Sequence, residues 1–141
     1  MFPAFNEYCT LIAQLPGQFP SIRSSTLQAH TIGPFAAEVE GQVVFESGYL
    51  LDVWELLDLS THTIRHYSYE LNRAEERIWW YDPQSHPHDA TLASTDPHHK
   101  HIQPDIKHHR IPAPEISFER PNLPTLIQEV EHLIHTSRET G

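Results

Sequence analysis

Apolar residues recur at helical spacing near the two ends of the chain and follow a period of two between them. Phe5, Tyr8, Leu11, Ile12 and Leu15 fall on one face of a helix, and Pro16-Gly17 predicts its end, with Leu15 its last useful position. From residue 26 to residue 81 the pattern is that of strands. Residues 37–45 are rich in β-formers, Glu46-Ser47-Gly48 is a hairpin turn signal, and residues 49–57 are apolar enough to lie centrally in a sheet. Residues 58–61 turn the chain. Residues 63–71 then alternate, which predicts Arg65, Tyr67 and Tyr69 on one face and Ile64, His66 and Ser68 on the other. A polar turn over 72–76 leads to a returning strand at 77–81. Connections this short make neighbouring strands antiparallel. Near the end, Asn122 predicts an N-cap and Pro124 suits a first turn. Leu126, Ile127, Val130, Leu133 and Ile134 then form one apolar stripe.

These elements predict an α+β fold in one domain spanning 1–141: an antiparallel sheet of about four to six strands packed by N- and C-terminal helices. Residues 1–25 carry the first helix and its lead-in, 26–81 the strands and 122–139 the last helix. Between them, 82–121 reads as a long proline- and histidine-rich loop with at most one short strand near Ile102 or Ile111. A loop of that length in a compact domain points to function or to disorder. No internal repeat of solenoid length occurs.

Composition narrows the function classes. The formal charge of −10 argues against a general nucleic-acid coat, because phosphate binding relies on Lys and Arg. The charge is uneven, however: residues 98–110 hold Lys100, Lys107 and Arg110 against Asp105 alone, with five histidines among them. A lone cysteine, Cys9, makes no internal disulfide and fits a reducing compartment. No apolar run is long enough to span a membrane, and the start lacks the basic and apolar regions of a signal peptide, so the expectation is a cytoplasmic protein.

The candidate chemistry is imidazole. Seven of the twelve histidines lie between His86 and His109, a density that separates this segment from the rest. Asp82 and His86 precede the run Pro97-His98-His99-Lys100-His101. One reading is a solvated polar loop. A second is a metal site, in which His99 and His101 share one side of an extended segment and His86 or His88 and Asp82 complete the ligands. Zinc or another divalent transition metal suits such donors. A third is acid–base catalysis by a histidine pair, with Lys100 stabilising phosphate charge and Asp82 or Glu55 orienting a histidine; it requires no cofactor. Glu55 lies among Val53, Trp54, Leu56 and Leu57, so it needs a partner such as Arg65 or a cleft. Phosphate-loop, dinucleotide and nucleophile-elbow motifs are absent from the sequence. Tyr67, Tyr69, Trp79, Trp80 and Tyr81 read as packing residues rather than base-stacking platforms.

The order of these segments resembles the TumE-like toxin family of toxin–antitoxin systems. The residues that carry the resemblance are Val44-Phe45-Glu46-Ser47-Gly48-Tyr49-Leu50, Trp54-Glu55-Leu56-Leu57-Asp58, His66-Tyr67-Ser68-Tyr69 and, most specifically, Pro97-His98-His99-Lys100-His101. It covers roughly residues 37–135. Where the family tends to have Arg-Tyr-Asp-Asn-Ala-Pro-His, this chain has Trp80-Tyr81-Asp82-Pro83-Gln84-Ser85-His86, so Asp82 and His86 carry over while the arginine and asparagine do not. The resemblance implies a toxin that inhibits translation, by cutting RNA or by blocking the ribosome, and a helix-turn-helix antitoxin as its protein partner. A homodimer is compatible with it.

Overall fold

The computed structural model describes residues 2–140, with side chains through residue 137. Helix α1 (Phe5–Gln18) is followed by strands β1 (Ile22–Ser25), β2 (Gln28–Thr31), β3 (Ala36–Phe45), β4 (Tyr49–Asp58), β5 (Thr63–Arg73) and β6 (Glu76–Asp82). Two short strands, β7 (His99–Ile102) and β8 (Arg110–Pro112), precede helix α2 (Leu123–Thr140). The strands form one antiparallel sheet in the order β1-β3-β4-β5-β6-β7-β8, with β2 beside β1 on the same edge of β3. The α+β class is as the sequence predicts, but the sheet has eight strands rather than four to six. Two of the additional strands, β7 and β8, lie in the segment expected to be a loop with at most one short strand near Ile102 or Ile111; both positions are in strands. Proline bounds them and few β-formers fill them, so pairing with β6, not local propensity, makes them strands.

One face of the sheet carries the core. Val39, Val43, Leu51, Val53, Leu57, Tyr67, Tyr69, Leu71, Trp79 and Tyr81 are buried, as are Tyr8, Ile12 and Leu15 of α1 and Leu126, Ile127, Val130 and Ile134 of α2. Polar contacts place both helices on that face: Tyr8 of α1 reaches Glu55 of β4, and Glu129 of α2 accepts from Tyr81 of β6. Leu133 lies at the margin, partly buried against the core.

Local differences from the sequence reading have local causes. Helix α1 does not stop at Leu15; it runs through Pro16 and Gly17 to Gln18. Proline removes one donor in the last turn, and the Phe19 N–H closes that turn on the Leu15 carbonyl at 3.0 Å. A bulge in β5 makes Arg65 an extra residue, because Leu57 pairs with Ile64 while Leu56 pairs with His66. Ile64 therefore shares the buried face with Tyr67, and Arg65 is exposed. Asn122 occupies the N-cap position, with its carbonyl accepting from Leu126 N–H. Its side chain turns inward instead of capping: Nδ2 donates to Tyr69 and to the Ser117 carbonyl, and Oδ1 accepts from Ser117 N–H.

Gly41 lets β1 and β2 share an edge. Its φ is +140°, and a Cβ there would stand 2.6 Å from the Thr26 carbonyl oxygen at the crossing between the two strands. Thr26 is bonded to Gln42 through both backbone and side chain, so it has little room to yield. Gly41→Val is expected to lower stability by about 2–4 kcal/mol, from backbone strain and overpacking together. Urea denaturation checks this through a lowered midpoint at unchanged slope.

Candidate functional site

Strand β7 fixes the geometry of the histidine run. Side chains alternate along a strand, so His99 and His101 point to one face while His98 and Lys100 point to the other. Cross-strand partners share a face, which brings Asp82 of β6 beside His99, Trp80 beside His101, and Arg110 of β8 beside His101. The result is a cluster on the face away from the helices. His99 Nε2 lies 3.0 Å from Asp82 Oδ1 and 3.1 Å from His101 Nε2, and His101 Nε2 lies 3.4 Å from Asp82 Oδ2. All three residues are buried.

The far side of each imidazole is fixed as well. His99 Nδ1 faces the Pro97 carbonyl at 3.2 Å, and His101 Nδ1 faces the Ile106 carbonyl at 2.8 Å. A carbonyl only accepts, so both Nδ1 atoms carry hydrogen and both Nε2 atoms present lone pairs in the neutral rings. The Trp80 ring stacks on His101 at 4.3 Å, and the His86 ring meets His99 edge-on at 4.8 Å. His86 Nε2 and Arg110 Nε are buried without a hydrogen-bond partner.

Electrostatics follow from this packing. Burial raises the Asp82 carboxyl, but the adjacent His99 ring and the Gln84 N–H outweigh it, and the net effect is a lowered pKa. Burial is the first cause of the lowered pKa of His101. Burial also lowers His86, with Arg110 contributing to the same direction. The cluster is thus an anionic carboxylate and two imidazole lone pairs converging on one point, with a guanidinium nearby. Such an arrangement can share a proton or hold a cation.

The other candidates lie elsewhere. Lys100 is on the opposite face, where it is paired with Glu129 of α2 and lies over the rings of Trp79 and Tyr81. His98 is also on that side, stacked on Tyr67, with Nδ1 2.6 Å from the Tyr67 hydroxyl and the ring 4.5 Å from Phe118. Burial, then Asp82, pushes the Tyr67 phenol up, and the phenol shares one hydrogen bond with His98 whose direction follows the imidazole tautomer. Glu55 is fully buried, and its partners are Tyr8 and Tyr69, each at 2.5 Å, instead of Arg65. Arg110 and Trp80 were not foreseen as neighbours of the cluster. Arg110 depends on the pairing of a three-residue strand that no local pattern marks, whereas Trp80 could have been placed by counting back two residues from Asp82.

A family model described as Toxin TumE matches residues 10–134. No curated protein and no solved structure matches the chain.

Proposed function

The chain belongs to the TumE toxin family, and from that premise we propose that it arrests growth by inhibiting translation, through cleavage of RNA at the Asp82–His99–His101 cluster. The observation that carries this reading is the convergence of three buried donor atoms within 4.8 Å of one another, with Arg110 on the same face. Phosphodiester cleavage requires activation of an oxygen nucleophile and compensation of the charge that grows on the phosphate. The cluster supplies the first and Arg110 the second. His86 lines the same side through its contact with His99. Lys100, His98 and Glu55 serve the core face in this scheme. A toxin of this family has an antitoxin partner; we propose a helix-turn-helix protein whose basic segment complements the −10 charge of this chain. No helix among the described residues is long and apolar enough to cross a membrane.

Induced expression without the partner tests the proposal. Wild type is expected to stop growth and lower the rate of protein synthesis. The double variant His99→Ala and His101→Ala should lose the arrest while remaining soluble and folded, whereas Lys100→Ala should retain it. Equal arrest by wild type and a folded double variant would remove the cluster from the mechanism. Arrest with intact cellular RNA would remove cleavage.

A further inference from the structure

We propose that Asp82, His99 and His101 bind one divalent transition-metal ion, zinc by the chemistry of the donors, with a coordination position left open for a phosphate oxygen. This deepens the reading of the cluster given above and rests on it for the role of the ion in RNA cleavage; the binding itself rests on geometry alone.

Distance is the first argument. Zinc bonds nitrogen and oxygen at about 2.0–2.2 Å, so two ligands in a tetrahedral shell stand roughly 3.3 Å apart. The separations in the cluster are 3.0, 3.1 and 3.4 Å. Little movement would be needed to admit an ion between them.

Tautomer is the second. Both Nδ1 atoms donate to backbone carbonyls, which leaves both Nε2 atoms as lone-pair donors aimed at each other and at a carboxylate. Three acceptors packed together repel unless something positive lies among them. Outer hydrogen bonds of this kind hold ligating histidines in the tautomer and orientation that a metal uses.

Chemistry is the third. Two imidazoles and one carboxylate suit a borderline divalent ion, and three protein donors leave a position for water or substrate. His86 and Arg110 flank that space, each with a buried nitrogen lacking a hydrogen-bond partner. The group His30, Glu38 and Glu40 has comparable spacing, but His30 and Glu40 are exposed to solvent, unlike the three buried residues of the cluster.

The test uses untagged full-length protein. Elemental analysis after dialysis against zinc is expected to give one ion per chain, and chelation should lower the melting temperature. Absorption by the zinc-edge fine structure should show two imidazole nitrogens at about 2.0–2.1 Å. Asp82→Asn keeps the shape and removes the anionic donor. It should weaken zinc binding by more than the roughly 10–100-fold typical of losing an outer partner. Lys100→Ala, on the opposite face, should bind zinc as wild type does. Absent or substoichiometric metal, or a first shell without imidazole, overturns the proposal. Stoichiometric metal in a protein that neither arrests growth nor cuts RNA supports the ion site and instead overturns the toxin mechanism. Arrest that depends on His99 and His101 but occurs without bound metal does the reverse.

Discussion

Glu55→Ala is expected to destabilise the protein by about 3–5 kcal/mol, enough to unfold much of a marginally stable domain. The carboxylate is fully buried and accepts from Tyr8 and Tyr69, whose hydroxyls are themselves buried. Tyr69 in turn accepts from Asn122, so this network connects α1, β4, β5 and the start of α2. Truncation leaves two phenolic donors without the acceptor they face, at about 1–3 kcal/mol each, and opens a cavity besides. Glu55→Gln keeps the volume and one acceptor, so it should cost less. The two variants also separate charge from shape. Burial raises the Glu55 pKa, and the hydrogen bonds from Tyr69 and Tyr8 only partly counter it. A folded pKa above the unfolded value, about 4.3, means a contribution fully present below that pH and lost as pH rises through the folded pKa. Wild type should therefore gain stability relative to Glu55→Gln as pH falls from 7 toward 4.5. Chemical denaturation at stepped pH measures the difference, and parallel curves would show that Glu55 titrates as it does in the unfolded chain.

The parts of the site that were legible in the sequence are those set by the period of a strand. His99 and His101 share a side because side chains alternate, and the same alternation separates His98 and Lys100 from them. Grouping all four by their adjacency in the sequence overlooks that consequence. Asp82 is marked in the sequence by its place just before the histidine run and by the family resemblance, and its pairing with His99 follows once β7 joins β6. The partners of Glu55 were not legible, because Tyr8 lies 47 residues away on a helix and the β5 bulge turns the expected partner, Arg65, outward. The sequence marks only one short strand near Ile102 or Ile111 where the sheet has both β7 and β8, for a related reason. Short segments bounded by proline carry almost no propensity of their own, and their conformation is decided by the edge they meet. Helix identity and the apolar stripe of α2, by contrast, are local properties and were read directly.

Under the proposed RNA-cleavage mechanism, Arg110→Ala is expected to reduce cleavage by about 10²-fold or more while leaving the melting temperature nearly unchanged. Arg110 pairs across the sheet with His101, and its Nε is buried without an acceptor. A donor held out of water in this way costs stability in the resting protein, so removing the side chain relieves as much as it loses. Its value would appear only when a phosphate oxygen arrives to accept from it. Guanidinium is planar and forks onto two oxygens, which a lysine ammonium cannot imitate, so Arg110→Lys should recover part of the rate and not all of it. The loss should fall on the rate at saturating RNA as well as on binding, because charge on the phosphate is greatest in the transition state. Single-turnover cleavage of a short RNA separates the two. A variant that binds RNA more weakly but cuts it at the wild-type rate when saturated would make Arg110 a docking residue, with charge compensation left to the cluster itself.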